Sequence, residues 1–169
     1  MTKLRIQAKP LTRELFAPFG DVIEIDGAAE HEINSGRIQR FHDLADVVVD
    51  LENGGRPVVS IAYARITTTM PVSISMVERH PLGSQAFIPF SSLPMVVVVA
   101  QETDDPIKPQ DLTAFVSNGK QGINCRPGVW HMPLIAFEEG QQWIIIDREG
   151  PGDNCDEFYF ENDEIVVFV

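Results

Sequence analysis

Short stretches of alternating apolar and polar residues recur along most of this chain. Alternation with a period of two is typical of strands that bury one face. Glycine and proline separate these stretches, and the only helical pattern is a turn or two around residues 13–16, with Thr12 as its N-cap. These stretches, which are rich in strand-forming residues, predict strands over residues 4–8, 22–25, 47–51, 58–65, 72–80, 86–90, 96–101, 112–116, 129–137, 143–147 and 165–169.

The valine run at residues 96–99 lacks alternation, which is typical of a strand buried between two packed sheets. Many short strands around one such run predict an all-β fold, either a cupin-like closed β-barrel or a double-sheet jelly roll with few short helices. The chain contains no linker long enough to divide it, so we expect residues 1–169 to form a single domain. Folds of this kind often hold a ligand in their mouth or interior.

The strand predicted over residues 72–80 carries the first candidate site. Alternation places Glu78 and His80 on the same face as Val72, Ile74 and Met76. A carboxylate and an imidazole on a buried face are costly unless they are paired, hydrogen-bonded or bound to something. We therefore expect a functional site at this strand end, although a buried structural pair would give the same pattern.

A second inward-facing histidine is predicted at His131, because alternation places it among apolar residues on its strand. After His80, a turn that contains proline and glycine reverses the chain and leads to Gln85 on a neighbouring strand. We therefore expect Glu78, His80 and His131 to converge in one cavity, with Gln85 beside them.

Composition and charge restrict the class of partner. The 169 residues are 44% hydrophobic and 22% charged, which is ordinary for a globular protein. A formal net charge of −12 argues against nucleic acid and anionic membranes as partners, because both require a basic surface. A small anionic substrate is still compatible with the sequence, since arginines can reverse the potential locally.

Cysteine usage and the absence of long apolar runs bear on the compartment. Cys125 and Cys155 are far apart and form no close pair, so we expect reduced thiols. No stretch approaches the roughly 18 apolar residues of a membrane helix, and the first ten residues alternate in charge where a signal peptide needs an apolar run. We expect a cytoplasmic protein.

Two segments resemble the paired motifs of the cupin superfamily: ERHPLGSQAFIP (78–89) and PGVWH (127–131). Where most cupins carry two histidines and a glutamate in the first motif, this chain offers Glu78, His80 and Gln85. Together with His131, these residues could hold a divalent transition metal, although the amide of Gln85 is a poor ligand.

Longer strings are similar to the ureidoglycolate lyase family, formerly called ureidoglycolate hydrolase. The resemblance implies a cupin-type barrel, usually dimeric, that cleaves (S)-ureidoglycolate to glyoxylate and urea in allantoin and purine catabolism, with nickel as the implied metal. Met132 stands where some members have a second histidine, so we expect no function for it. The strings are HEINSGRIQRFHDLA (31–45), ERHPLGSQAFIP (78–89), FVSNGKQGINCRPGVWHMPL (115–134) and IDREGPGDNCD (146–156).

The implied substrate suggests roles for individual residues. Cleavage requires removal of a hydroxyl proton and protonation of the departing nitrogen, and Glu78, His80 and His131 are the candidates for proton transfer or metal ligation. Arg40 is the first candidate for the substrate carboxylate, because a guanidinium offers a bidentate fork. The amides expected to bind the urea group, which has both donors and acceptors, are Asn34, Gln85, Asn118, Gln121 and Asn124.

Other functions fit the same residues. An amidohydrolase would release ammonia from ureidoglycolate, and a non-catalytic barrel would bind a small molecule in the same cavity. A metal-dependent oxygenase is disfavoured, because Gln85 weakens the ligand shell that open iron positions require.

Two further expectations concern the surface. The apolar run at residues 164–169 is expected to be ordered, either within the fold or across the interface of a homodimer, because an exposed apolar edge strand promotes aggregation. Arg79 and Arg148 are expected to form ordinary surface ion pairs of little energetic weight.

Overall fold

The chain folds almost entirely into β-strands, as the alternation predicts. The computed structural model describes residues 3–160 and 164–169. The helical elements are α1 (Arg13–Phe16) and a 3₁₀ turn (Pro109–Asp111). The strands are β1 (Lys3–Gln7), β2 (Lys9–Pro10), β3 (Gly20–Ile23), β4 (Glu30–Ile33), β5 (Ile38–Phe41), β6 (Arg56–Tyr63), β7 (Val72–Ile74), β8 (Met76–Arg79), β9 (Gln85–Pro89), β10 (Val96–Ala100), β11 (Thr113–Val116), β12 (Gly122–Cys125), β13 (Trp130–His131), β14 (Gln142–Glu149), β15 (Asp156–Tyr159) and β16 (Glu164–Phe168).

Three sheets make up the body of the fold. The first has three strands in the order β1-β16-β7, and the second has six in the order β15-β8-β13-β10-β11-β2. The third has five strands in the order β3-β12-β9-β14-β6, while β4 and β5 form a separate two-stranded hairpin. The all-β, cupin-like prediction is therefore confirmed, but the sheets of the described residues do not close into a barrel.

Two apolar cores lie on either side of the six-stranded sheet. The first core joins that sheet to the three-stranded one, and the second joins it to the five-stranded one. Strand β10 serves both cores, since Val96 and Val98 belong to the first, and Val97 and Val99 to the second. The prediction that this valine run is buried on both faces is confirmed.

The short helix also forms as predicted. Thr12 accepts a hydrogen bond from the backbone N–H of Leu15 at 3.2 Å, which satisfies one of the unpaired donors of the first turn. Phe16, at the end of the helix, is fully buried in the second core. No helix in the described part of the chain is long and apolar enough to cross a membrane.

The strand predicted over residues 72–80 is interrupted at Ser75 and belongs to two sheets. Val72 lies in β7 of the three-stranded sheet, whereas Glu78 lies in β8 of the six-stranded sheet. The phase of burial changes at the break, so Val77 rather than Met76 joins Val72 in the first core. Glu78 therefore does not share a face with Val72, which corrects the sequence prediction.

Other boundaries also differ from the prediction. Residues 47–51 form no strand apart from a single bridge between Val49 and Gly83, and only two residues of the predicted strand 129–137 are in a ladder. The alternation missed β4 and β5, in which nearly every residue is exposed, and β12, in which every residue is buried. Uniform exposure or uniform burial leaves no period-two signal.

The C-terminal segment is ordered, as expected. Strand β16 is the central strand of its sheet, parallel to β1 and antiparallel to β7. Ile165 and Val167 are fully buried in the first core. Because both of its edges are paired within the chain, this strand does not offer an open edge to a second copy.

Candidate active site

A carboxylate and two imidazoles meet at the end of the six-stranded sheet. His131 on β13 lies directly opposite Glu78 on β8, and its Nε2 is 3.6 Å from Glu78 Oε1. His80 follows β8, and its Nε2 is 4.0 Å from the same oxygen. One ligand atom of each residue lies within 4.8 Å of the others, so Glu78, His80 and His131 converge as predicted, whereas the cavity expected around them stays a prediction.

The cluster faces the second core because of the register of three strands. His131 is paired with Val99 on one side and with Glu78 on the other, and directly opposed residues share a face of the sheet. Val99 and Phe87 belong to the second core, and the ring of Phe87 lies 6.1 Å from that of His131. Glu78 therefore points into the fold, as predicted. It points toward the second core rather than the first, because the two faces of the strand exchange at Ser75.

Both imidazoles are anchored through the same ring nitrogen. The Nδ1 of His80 lies 2.6 Å from the carbonyl oxygen of Asn154, and the Nδ1 of His131 lies 3.1 Å from that of Val129. A carbonyl oxygen only accepts, so each Nδ1 carries a proton and each Nε2 is directed toward Glu78. The Nε2 of His80 is buried without a hydrogen-bond partner among the described residues.

Gln85 completes the cluster. Its Oε1 lies 3.0 Å from Nε2 of His131, and its Nε2 donates a hydrogen bond to Oδ2 of Asp147 at 3.3 Å. The Nε2 of His131 therefore faces oxygen atoms of both Gln85 and Glu78. The expected position of Gln85 beside the histidines agrees with this geometry.

Glu78 is held in its ionised form. The close approach of the His131 ring, together with the electrostatic influence of the two imidazoles, holds the pKa of the Glu78 carboxyl below its ordinary value, although burial opposes this effect. The site therefore contains a carboxylate between two ring nitrogens whose orientations are fixed by backbone carbonyls. Such an arrangement can hold a cation, and it can also accept and return a proton.

Four residues near the cluster have no role in the sequence prediction. Asp147 binds Gln85, and Asn154 accepts from His80 and from the backbone N–H of Leu82. Cys155 and Glu157 form a second potential ligand group with Glu78 on the solvent side. Asp147, Asn154 and Cys155 all lie in IDREGPGDNCD, one of the strings that resemble the family. That resemblance was the signal in the sequence that could have identified them.

The two cysteines are free thiols, as expected from the sequence. Cys125 is buried in the second core, where desolvation raises the pKa of its thiol to about 12. Partial burial and the charges of Glu78 and Glu157 raise the pKa of the Cys155 thiol. Both thiols are therefore poor nucleophiles at neutral pH.

The other predicted substrate ligands lie elsewhere. Asn34 and Arg40 are exposed on the β4–β5 hairpin, and Asn34 occupies a left-handed position with a φ of 54°. Their roles as substrate ligands stay predictions.

Three amides take part in structural hydrogen bonds. The side-chain oxygen of Asn118 caps a turn by accepting a hydrogen bond from the backbone N–H of Lys120. The backbone N–H of Asn118 donates to the side-chain oxygen of Gln121. Gln121 is buried and donates to the carbonyl of Leu11. Asn124 is fully buried and donates to Asp21 and to the carbonyl of Asp46, which holds the 43–50 segment against the outer face of the third sheet.

Arg148 differs from the prediction of a surface ion pair. Its side chain is only 1% exposed, and it donates to the carbonyls of Gly150 and Pro151 while lying 3.9 Å from a carboxylate oxygen of Asp50. It lies beneath the 50–55 turn, where these carbonyls accept from its terminal nitrogens, whereas its Nε is buried without a hydrogen-bond partner among the described residues. Arg79, in contrast, forms a partly exposed pair with Asp156.

Comparison with known proteins gives a consistent result. The sequence profile of the ureidoglycolate lyase family matches residues 3–167. A protein named ureidoglycolate lyase from Pseudomonas syringae pv. syringae is 47% identical over 167 residues, which cover 99% of this chain and 95% of the relative. The relative of that name from Pseudomonas fluorescens SBW25 is 46% identical, with 96% of this chain and 95% of the relative covered. The one from Stutzerimonas stutzeri is 47% identical, with 92% and 90% covered. The chain belongs to the ureidoglycolate lyase family.

Proposed function

We propose that this protein cleaves (S)-ureidoglycolate to glyoxylate and urea. The observation that carries the proposal is the convergence of Glu78 with the Nε2 atoms of His80 and His131, on a chain that matches the family over nearly its whole length. Small anionic molecules are the expected ligands, since the net charge of −12 disfavours polyanions. We expect the reaction to take place in the cytoplasm.

The donor set fits a divalent transition metal. Both histidines present Nε2 while Nδ1 binds a backbone carbonyl, which is the usual arrangement of metal-ligating imidazoles. Glu78 Oε1 and Gln85 Oε1 lie beside the same Nε2 atom of His131. These four residues would hold the ion, and the family resemblance points to nickel.

Electrostatics also favour a bound cation. Ureidoglycolate carries a carboxylate, whereas Glu78 and Asp147 give the site negative charge. A divalent ion at the cluster would supply positive charge to the substrate carboxylate and to its hydroxyl oxygen. The chain would then bind an anionic substrate at a position where its own side chains alone would repel it.

The lyase reaction moves one proton and breaks one bond. The hydroxyl of ureidoglycolate loses its proton, its oxygen becomes the aldehyde carbonyl of glyoxylate, and the departing urea nitrogen takes up a proton. Glu78 suits both transfers: its Oε1 faces the imidazoles, and its Oε2 lies on the solvent side, 4.0 Å from Cys155 Sγ. A carboxylate that accepts the hydroxyl proton and returns it to nitrogen leaves the enzyme unchanged.

Product analysis tests the proposed reaction. Incubation of the purified protein with (S)-ureidoglycolate, in the absence of urease, should yield glyoxylate and urea in equal amounts, because lyase chemistry does not attack the ureido carbonyl. Both products can be measured by separate colorimetric assays with the uncatalysed reaction subtracted. Stoichiometric ammonia would instead establish an amidohydrolase, and unchanged substrate would favour a non-catalytic binding protein.

We also propose that the protein is a homodimer, with β6 in the interface. This strand is the last of the five-stranded sheet, and three alternate apolar residues of its outer face are exposed: Val59 by 72%, Ile61 by 64% and Tyr63 by 58%. Ile144 and Ile146 lie opposite Ile61 and Val59 on β14 and extend the same surface. A contiguous exposed apolar surface of this kind is typical of an interaction site.

Substitution of Ile61 tests the interface. Ile61→Lys should convert a dimer to a monomer, because a dimer would bury the new charge without a partner. Sedimentation velocity measures the change. Ile25→Lys is the matched control, since Ile25 is 60% exposed and follows β3 at the other edge of the same sheet. A wild-type monomer at high concentration, or a dimer that survives Ile61→Lys, would contradict the assignment.

A further inference from the structure

Asp147 is half-buried on the inner face of the five-stranded sheet, next to the cluster. It belongs to β14, where Trp143 and Ile145 contact the second core and therefore mark the inner face. Alternation places Asp147 on the same face as these two residues. Its carboxylate accepts the hydrogen bond from Nε2 of Gln85.

The bond to Asp147 determines which end of Gln85 faces His131. The two ends of a primary amide are nearly equal in shape but opposite in chemistry, since the oxygen only accepts and the nitrogen only donates. A carboxylate can only accept, so it selects the NH₂ end of Gln85. The carbonyl oxygen is then left 3.0 Å from Nε2 of His131, on the side where Glu78 lies.

A reversed amide would change the site. With its NH₂ group toward His131, Gln85 would donate to Nε2 and occupy the lone pair that the imidazole needs as a ligand. It would also remove an oxygen ligand from the set. The orientation of Gln85 therefore affects both His131 and the donor set, although Asp147 itself touches neither substrate nor cation.

We propose that Asp147 is a positioning residue that sets the orientation of the Gln85 amide, so that its oxygen faces His131. The expected effect of Asp147 on the reaction rate rests on the proposed lyase function. Its effect on the orientation of the Gln85 amide does not depend on any reaction, so the positioning role and the lyase function can fail separately. The hydrogen bond from Gln85 is the operative interaction, and the charge of Asp147 is not required.

The matched variants are Asp147→Asn and Asp147→Ala. Asparagine can accept from Gln85 through its own carbonyl oxygen, whereas alanine cannot. In the metal-free protein, ¹⁵N NMR of the Gln85 side-chain amide should show the same NH₂ resonances in wild type and in Asp147→Asn. In Asp147→Ala, these resonances should shift, because the NH₂ group loses its acceptor and the amide is free to reverse.

Kinetics of the metal-loaded protein give the second readout. Asp147→Ala should lower kcat by about 10- to 100-fold, as is typical for loss of a residue that orients a ligand, with little change in KM. Asp147→Asn should restore most of the rate. In a Gln85→Ala background, Asp147→Ala should have no further effect on kcat, because no amide is left to orient.

Three results would overturn the proposal. The first is an unchanged Gln85 amide spectrum and an unchanged kcat in a folded Asp147→Ala protein. The second is equal damage in Asp147→Asn and Asp147→Ala, which would assign the effect to charge. The third is that Asp147→Ala lowers kcat in the Gln85→Ala background by as much as it does in the wild-type protein. If no variant or wild-type protein makes glyoxylate but the spectra change as expected, the positioning role stands and the lyase function fails.

Discussion

Replacing His131 with alanine is expected to lower kcat by ~10³-fold, in the range typical for loss of a group that acts directly at the reacting centre. The side chain is buried, and its Nε2 lies beside both Glu78 and Gln85, so its removal takes a group from the centre of the cluster. Steady-state assays of glyoxylate formation measure the loss. Circular dichroism and thermal unfolding should show a folded protein, because the backbone pairing of β13 is unaffected.

His42→Ala is the matched control for this variant. His42 is exposed after the β4–β5 hairpin, where its ring contacts that of His31 at 5.8 Å. This substitution should leave kcat within about twofold of wild type, as is usual for surface positions away from a site. A folded His131→Ala protein with wild-type turnover would remove the cluster from the reaction.

The sequence was sufficient to identify the members of the cluster. A histidine and a carboxylate at a strand end, followed by a second inward histidine, are unusual enough on apolar strands to indicate a site. The residues that orient them were not predictable in this way. Asp147 follows an isoleucine run, residues 144–146, which has no alternation and therefore gives no inward or outward signal.

The roles of amide side chains are harder to assign from the sequence than the members of the cluster. Asn118 and Asn124 were candidates because amides can bind urea, but the same donors and acceptors serve turns and buried loops. In the structure Asn118 caps a turn and Asn124 binds the backbone of the 43–50 segment. An amide in a sequence does not reveal whether its hydrogen bonds are already satisfied by the fold.

The fold class was predictable from the sequence, but the sheet to which each strand belongs was not. Alternation identifies a strand but not the sheet that it joins, and a break of one residue at Ser75 exchanged the faces of everything after it. Met76 and Val77 are both apolar, so the sequence permits either phase. The outcome depends on Val77 filling the first core, which is a tertiary contact between β8 and the three-stranded sheet.

Removal of bound metal is expected to abolish turnover almost completely and reversibly. Four ligands that include a carboxylate and an amide form a modest donor set, so exhaustive dialysis against a chelator should empty the site. Adding nickel back should restore glyoxylate formation in proportion to occupancy. Elemental analysis of each sample links activity to metal content, and full activity in a sample shown to be metal-free would exclude the metal role.

A pair of variants distinguishes the two potential ligand groups that share Glu78. The first group includes His80 and His131, and the second includes Cys155 and Glu157 on the solvent side. His80→Ala should reduce bound nickel well below one equivalent, because it removes a ligand whose Nε2 is buried and otherwise unpartnered among the described residues. Cys155→Ser should retain the metal and most of the activity, since its thiol lies outside the histidine cluster. The opposite result, with nickel lost in Cys155→Ser and kept in His80→Ala, would move the metal to the solvent side of Glu78 and leave the imidazoles free to transfer protons.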